Sequence, residues 1–394
     1  MSPNLRVFAF VFTILCALAN SKFSYEPGNC DILIKSAVSE ILKNEMRARL
    51  RPSWRESRIN HLRYELYTPQ NPYNAQVLKT GDANVLRKSF FNAKLPVRIS
   101  IHGWTGKSTS CSNAAIKDAY LAAGKFNVII LDWSAISMGI SYIRVSGRLH
   151  EIATKLLEFT QFLHLESGVP YESIYLVGHS AGAHIAGLAG KQLRPQRYGA
   201  IYALDPAGLA QLPLGEDKRL APNDAIYTES IHSDVAMLGN PSTELTQASF
   251  FVNYGLHQPQ CPNATAAEFV FACNHFAAIY YFAESLRQPR AFGAIRCRRY
   301  NGCCLLSKSR LLLGEWDCGC PNAAKTGECP MDVFMGGEPA VPKSGIFYLS
   351  TRSNPQPFGY GETVRIKRAG PATYLHNKFL SSEFVSNLLM KFYH

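Results

Sequence analysis

The chain has 394 residues, of which 47% are hydrophobic and 18% charged, and its formal net charge is +12. Such a surplus of positive charge favours anionic partners, such as acidic phospholipid surfaces or extracellular polyanions. No nucleic-acid-binding motif, internal repeat or low-complexity linker occurs, which argues against nucleic acid as the partner.

The first residues have the pattern of a secretory signal peptide. Arg6 supplies a positive charge, Val7–Ala19 is apolar, and Ala17-Leu18-Ala19 offers a small-x-small cleavage site. A membrane anchor is the alternative, but this apolar run is too short to span a bilayer. We therefore predict a signal peptide over 1–19 and an extracellular protein.

The next segment, 20–62, is predicted to be helical and basic. Apolar residues recur on one helical face, and a strongly basic stretch follows from Lys43 to Arg63. A basic amphipathic helix can lie on a membrane surface, or it can pack on the core of the protein. Both interpretations remain open at this stage.

Strand-like and helix-like segments alternate from Arg63 onward. This alternation predicts an α/β fold with a mostly parallel sheet covered by helices on both faces. We predict one catalytic domain over 63–357, followed by a C-terminal extension, 358–394. The predicted strands are Arg63–Tyr67, Val97–His102, Asn127–Asp132, 173–177 and Ala200–Leu204, and the first long helix is Arg148–Glu166, with Ile152, Leu156, Phe159 and Leu163 on its apolar side.

The most informative motif is Gly178-His179-Ser180-Ala181-Gly182. It follows an apolar run and precedes a helix-compatible segment that extends to Leu193. This is the pattern of a nucleophile elbow, a sharp strand-to-helix turn that presents a serine hydroxyl above the sheet. Side chains at the two glycine positions would collide with neighbouring backbone, so the motif predicts Ser180 as a nucleophile.

A serine nucleophile needs a base and an acid, and α/β-hydrolases supply them in the order Ser, Asp, His. Asp205 directly follows the strand Ala200–Leu204, so it projects from the carboxyl edge of the sheet. His275 is the candidate base. Spacing alone leaves His232 and His257 open as alternatives.

We expect His275 to lie in a loop that a disulfide at Cys273 holds in place, ahead of a helix over Phe276–Leu286. An oxyanion hole also needs two backbone N–H groups. The residue after the nucleophile, Ala181, should supply one of them. Trp104, after the strand end Ile101-His102-Gly103, is the candidate for the other.

Cysteine usage agrees with export. Ten cysteines remain after the signal peptide, an even number that indicates disulfides in an oxidising compartment. A zinc site in the dense group from 297 to 329 is the weaker alternative, because no histidine there completes a ligand pattern. Asn263-Ala264-Thr265 is a glycosylation sequon.

An ordered set of motifs resembles the pancreatic lipase family of α/β-hydrolases, especially its insect members. The resemblance implies the triad Ser180, Asp205 and His275 and the oxyanion donors Trp104 and Ala181. The motifs are Tyr64-Glu65-Leu66-Tyr67-Thr68, Ile101-His102-Gly103-Trp104, Leu131-Asp132-Trp133, Gly178-His179-Ser180-Ala181-Gly182-Ala183-His184, Leu204-Asp205-Pro206-Ala207, Ile231-His232-Ser233-Asp234, Cys273-Asn274-His275 and Phe347-Tyr348-Leu349-Ser350-Thr351.

The resemblance also implies disulfides, a lid and a calcium loop. The implied pairs are Cys261–Cys273, Cys297–Cys318, Cys320–Cys329 and Cys30–Cys111, which leaves Cys303 and Cys304 over. The calcium loop would map to Glu216, Arg219, Ala221 and Asp224. Because Ala221 replaces an oxygen ligand, the sequence argues against bound calcium, and we expect no cofactor and no metal.

Two departures bear on function. Only 45 residues follow Leu349, too few for the C-terminal β-sandwich of vertebrate members, so no colipase partner is implied. The lid lies between Cys261 and Cys273, and it is short, as in phospholipase A1 members. We therefore predict a secreted serine ester hydrolase that acts on lipid at a membrane or lipoprotein surface, of phospholipase A1 type. A triacylglycerol lipase and a non-catalytic lipid-binding or yolk-like protein are the alternatives.

Overall fold

The structure is a computed structural model that describes residues 59–351, except for 139–144, 209–214, 236–237, 262–266, 302–305, 308–309, 312–314 and 319–332. The predicted signal peptide, the basic segment up to residue 58 and the predicted C-terminal extension lie outside the described residues. The strands are β1 Arg63–Tyr67, β2 Gln76–Leu78, β3 Val97–Ile101, β4 Asn127–Asp132, β5 Ile174–His179, β6 Ala200–Leu204, β7 Tyr227–His232, β8 Ala248–Val252, β9 Gly293–Asn301, β10 Leu306–Ser307, β11 Arg310–Leu311, β12 Glu315–Cys318, β13 Val333–Phe334 and β14 Gly345–Leu349. The helices are α1 Ala83–Lys88, α2 Cys111–Ala123, α3 Ser134–Ser137, α4 Leu149–Ser167, α5 Ala181–Leu193 and α6 Ala267–Arg287.

Most strands form one sheet in the order β12-β9-β14-β8-β7-β6-β5-β3-β4-β1-β2. Neighbouring strands are parallel from β14 through to β4. The pairs beyond these two strands, at both sides of the sheet, are antiparallel. The carboxyl ends of the parallel strands therefore meet at one edge, which is where α/β proteins build their sites.

The core is divided between the two faces of this sheet, because successive side chains of a strand point to opposite sides. On β6, Ile201 and Ala203 belong to one core and Tyr202 and Leu204 to the other. Helices α4 and α5 cover the first face, through residues that include Ile152, Leu156, Phe159, Leu163 and Ile185. Helices α2 and α6 cover the second, through Ile116, Tyr120, Ile279 and Phe282. The predicted α/β fold with helices on both faces is confirmed.

The boundaries agree with the sequence prediction within a residue or two, with one exception. The strand predicted to end at His102 ends at Ile101, and the helix predicted over Arg148–Glu166 spans Leu149–Ser167. The last helix was predicted to begin at Phe276, and this prediction is wrong, because α6 begins at Ala267. None of the helices in the described part of the chain is long and apolar enough to cross a membrane.

The early start of α6 changes the setting of His275, which lies within a helix and not in a loop. A mid-helix asparagine normally competes with the backbone for hydrogen bonds. Here Asn274 Oδ1 accepts the N–H of Gln258 at 2.9 Å, so its side chain is engaged by another segment. The helix therefore continues through Asn274.

Candidate active site

The Gly-x-Ser-x-Gly turn joins β5 to α5, with Ser180 between them. The Ser180 backbone has φ 56° and ψ −121°, a conformation that costs an L-residue about 1–3 kcal/mol. A Cβ on Gly178 would lie 2.4 Å from the Gly182 carbonyl oxygen, and a Cβ on Gly182 would lie 2.2 Å from that of Ile101. The turn therefore has no room for side chains at either glycine, which confirms the reason for the motif.

Asp205 follows β6 at the same edge of the sheet, and its side chain is fully buried. Its Oδ2 lies 2.5 Å from Nδ1 of His275. Its Oδ1 accepts the backbone N–H groups of Ser233, at 2.8 Å, and Asp234, at 3.1 Å. Such a carboxylate can hold the imidazole with a proton on Nδ1, which leaves Nε2 free to act as the base toward a serine.

His275 also contacts the elbow itself. The Nε2 atom of His179 lies 3.1 Å from the His275 carbonyl oxygen, and the two rings are 4.5 Å apart. Burial and the neighbouring His275 lower the pKa of His179 well below its usual value, so His179 stays neutral. The structure thus brings His275 next to the residue that precedes Ser180.

Gln258 connects the loops around this pair. Its side-chain amide donates to the carbonyl oxygens of Ser233, at 2.8 Å, and Val252, at 3.0 Å, while its backbone N–H donates to Asn274. One buried residue therefore connects the loop that donates to Asp205 with the helix that carries His275. Sequence reasoning missed Gln258, because nothing local in the sequence marks a contact between segments this far apart along the chain.

The candidate oxyanion donors lie on two sides of Ser180. Ala181 is the first residue of α5, and the first N–H groups of a helix have no acceptor within the helix. On the other side, a Cβ on Gly103 would lie 2.8 Å from Cβ of Ser180, so the Gly103–Trp104 segment passes directly against the nucleophile. This arrangement suits two backbone donors for a developing oxyanion.

The other histidines near this edge are engaged elsewhere. His232 Nε2 lies 2.8 Å from Ser230 Oγ, its ring stacks on Phe251, and burial lowers its pKa to about 4. His184 bridges α5 to two loops, and burial lowers its pKa to about 4 as well. The hydrogen bond to Oδ2 of Asp205 comes from His275, which is the arrangement that the predicted base requires.

The structure contains the Cys261–Cys273 and Cys297–Cys318 disulfides that the resemblance implied. The first closes the lid span, whose residues 262–266 and Asn263 with them lie outside the described residues. Cys30, Cys320 and Cys329 lie outside them too, and Cys111 is placed only as the first residue of α2. The pairs Cys320–Cys329 and Cys30–Cys111 therefore stay predictions.

The predicted calcium positions do not fit calcium. Asp224 is fully buried, and its Oδ1 accepts the ammonium of Lys191 at 2.6 Å and the guanidinium of Arg194 at 3.2 Å. Its Oδ2 accepts the N–H of Ala221 at 2.8 Å, and the Ala221 side chain is buried. Two protein cations thus already neutralise Asp224, which is one of the two carboxylates in the expected ligand set.

A second group of possible metal ligands includes Asp205 and His275, two of the predicted triad residues. Among the described residues, one atom each from Asp205, Asp234 and His275 lie within 4.8 Å of one another. Nδ1 of His275 already faces Oδ2 of Asp205 at 2.5 Å, so these two atoms are engaged with each other.

The sheet order and the strained serine elbow define the class of this protein, an α/β-hydrolase. The chain belongs to the lipase family: a family model described as Lipase matches residues 30–309, more than half of its length. The resemblance to pancreatic lipases is confirmed by curated relatives as well.

Three of these relatives illustrate the range of the family. Pancreatic triacylglycerol lipase of Cavia porcellus is 30% identical over 322 residues, covering 76% of this chain and 65% of that protein. Phospholipase A1 member A of Mus musculus is 32% identical over 305 residues, covering 75% and 62%. Inactive pancreatic lipase-related protein 1 of Homo sapiens is 28% identical over 264 residues, covering 63% and 56%. The chain thus matches less than two thirds of the length of each of these relatives.

Proposed function

We propose that this chain is a secreted serine carboxylic-ester hydrolase that acts on lipids, of phospholipase A1 type. The single observation that carries the proposal is the buried Asp205 carboxylate, which accepts two backbone N–H groups and lies 2.5 Å from Nδ1 of His275. The strained Ser180 elbow stands at the same edge of the sheet. A nucleophile, an acid and a base in this chain order are the components of acyl transfer in α/β-hydrolases.

The proposed reaction has two halves. Ser180 Oγ attacks the ester carbonyl carbon while His275 Nε2 takes the hydroxyl proton, and the N–H groups of Trp104 and Ala181 stabilise the oxyanion. The tetrahedral intermediate collapses, and the leaving alcohol takes the proton from His275. Water then attacks the acyl-enzyme by the same route, which releases a fatty acid and restores Ser180.

The lid supports phospholipid over triacylglycerol as the substrate. The Cys261–Cys273 disulfide joins residues only 12 positions apart, and helix α6 already begins inside this span, at Ala267. So short a loop cannot place a long apolar flap over Ser180, which leaves space for a charged headgroup. A glycan on Asn263 would keep the loop hydrated.

Charge and export point to the place of action. The net charge of +12 favours acidic phospholipid surfaces, with an attraction that weakens as salt rises. The predicted signal peptide and the two disulfides support an extracellular protein.

The test compares three substrates: phosphatidylcholine and phosphatidylserine vesicles, a triolein emulsion, and p-nitrophenyl butyrate. We expect sn-1 fatty acid release from the vesicles to exceed release from triolein. Ser180→Ala, Asp205→Asn and His275→Ala should each lose about 10³-fold or more while remaining folded. His232→Gln is the matched control, and it should retain activity.

Each alternative has its own result. Faster release from triolein would identify a triacylglycerol lipase and contradict the lid argument. Vesicle binding by wild type without hydrolysis of any substrate would indicate a lipid-binding protein. Normal turnover by His275→Ala with loss in His232→Gln would overturn the base assignment.

A further inference from the structure

His102 is a buried imidazole next to the proposed oxyanion peptide, and the reaction described above assigns it no role. It follows β3 and directly precedes Gly103 and Trp104. Its side chain is almost completely buried, and both of its ring nitrogens contact polar groups. A buried histidine with two defined partners can fix the geometry of the backbone around it.

The two contacts determine which nitrogen carries the proton. Nδ1 lies 2.9 Å from the Gly103 carbonyl oxygen, and a carbonyl can only accept a hydrogen bond. Nε2 lies 3.2 Å from the backbone N of Trp133, and an amide N–H can only donate. Nδ1 therefore carries a proton and donates it to Gly103, while Nε2 also lies 3.5 Å from Oδ1 of Asp132.

The imidazole is held in a narrow slot. It stacks on the Trp133 ring with centroids 5.3 Å apart and planes 6° from parallel. Trp133 Nε1 also donates to the His102 carbonyl oxygen at 2.8 Å. On the other side, a Cβ on Gly106 would lie 2.8–2.9 Å from His102 side-chain atoms, so the Gly106 backbone lies against the imidazole. The ring can neither rotate nor withdraw from Gly103.

The Gly103 carbonyl belongs to the same peptide group as the Trp104 N–H. In a trans peptide these two bonds point in opposite directions, so fixing the carbonyl fixes the N–H. The carbonyl oxygen accepts from His102 Nδ1 and from the Gly106 N–H, the latter at 3.2 Å. The same peptide passes directly against Ser180.

We propose that His102 is a positioning residue that orients the Trp104 N–H toward the oxyanion formed at Ser180. This inference rests on the proposed function, because an oriented donor matters only where an oxyanion forms. The imidazole acts through its hydrogen bond to the Gly103 carbonyl oxygen, and this role involves no contact with the substrate.

A matched pair of amides tests this role. In His102→Asn the amide nitrogen can occupy the place of Nδ1 and donate to Gly103. In His102→Gln the amide reaches the place of Nε2, and this donor is lost. We expect His102→Gln to lower kcat on p-nitrophenyl butyrate about 10- to 100-fold with KM within about twofold, because the lost stabilisation belongs to the transition state. His102→Asn should stay within about threefold of wild type.

Inhibition by an alkylboronic acid, which forms a tetrahedral adduct with a serine, gives a second readout. Its Ki should rise in His102→Gln in proportion to the loss in kcat/KM, and melting temperatures show whether both variants are folded. Equal losses of kcat in His102→Asn and His102→Gln, or losses that parallel a lower melting temperature, would show that His102 has only a structural role. Wild-type hydrolysis that Ser180→Ala does not abolish would instead refute the proposed function, and the positioning role with it.

Discussion

Replacing Lys191 tests whether its ammonium neutralises Asp224, at the position where the family resemblance would place a calcium ion. Lys191 lies near the end of α5, the helix that begins after Ser180, and its ammonium is 2.6 Å from the buried carboxylate of Asp224. Lys191→Met keeps the length and the apolar stem of the side chain but removes the charge. The buried carboxylate then loses its shortest partner.

The expected cost follows from what remains around Asp224. Removing one partner of a buried ion pair costs about 3–5 kcal/mol when the other charge is left unpaired. Here Arg194 stays 3.2 Å away, but its side chain is half exposed, and the Ala221 N–H still donates. We therefore expect Lys191→Met to lower the unfolding free energy by about 2–3 kcal/mol, a loss of about 3–5 °C in Tm for a domain of about 300 residues.

The assay is thermal unfolding of purified protein in calcium and in EDTA. Arg194→Met is the control, since an exposed partner contributes at most about 1 kcal/mol. In an Asp224→Asn background, Lys191→Met should cost less than about 1 kcal/mol, because no carboxylate remains to pair. The wild type should melt within about 1 °C in calcium and in EDTA.

Two results would refute this reasoning. A Lys191→Met variant as stable as the wild type would show that the ammonium does not matter to Asp224. A wild-type melting temperature that falls by several degrees in EDTA would show that calcium binds, because a ligand at 100 times its Kd adds about 2.7 kcal/mol.

Two further predictions concern the elbow and pH. Gly182→Ala should abolish secretion of folded protein, because the new Cβ would lie 2.2 Å from the Ile101 carbonyl oxygen. Gly124→Ala is the control and should be tolerated, since its Cβ would meet only the Phe126 side chain, at 3.0 Å. A well-folded Gly182→Ala variant would contradict the packing argument. Burial lowers the pKa of His184 and of His232 to about 4 in the folded state, against 6.5 in the unfolded chain. Between these two pH values the unfolded chain binds more protons, so the unfolding free energy decreases as the pH is lowered, by about 1.4 kcal/mol per pH unit for each histidine. Tm should therefore fall as the pH is lowered from 7 to 5. The fall should be the same in the exposed control His150→Gln and smaller in His232→Gln, and an equal fall in the two variants would contradict the role of His232.

The parts that sequence reasoning placed correctly are those with local patterns. The elbow could be read from its two glycines, and the helix α4 from apolar residues at helical spacing, four of which are fully buried. Asp205 follows a strand whose hydrophobic run ends at Leu204, so its place at the sheet edge needed no tertiary information. Short-range patterns of this kind reflect covalent geometry and period, which the chain carries in itself.

The parts that sequence reasoning missed depend on contacts between distant segments. Helix α6 begins at Ala267, and within it Asn274 accepts a hydrogen bond from Gln258, a contact that no spacing reveals. The Lys191–Asp224 pair joins residues 33 positions apart. In the sequence, only the missing oxygen ligand at Ala221 argued against calcium, and it did not reveal Lys191 as a partner. The proton on His102 Nδ1 follows from Gly103 on one side and Trp133 on the other, so it required the folded arrangement.

Asp234 shows how such long-range contacts shape the site's charge. Its fully buried side chain lies beside Asp205, and burial together with the Asp205 charge raises the pKa of Asp234 well above its usual value. Two adjacent buried carboxyls cannot both ionise at low cost. Asp205 accepts hydrogen bonds on both oxygens, from two N–H groups and from His275, whereas the Asp234 side chain accepts one long bond of 3.3 Å from the Leu238 N–H. Asp205 is therefore the carboxylate with the better hydrogen-bond partners. In the proposed acyl transfer, it is the group that stabilises the imidazolium formed on His275.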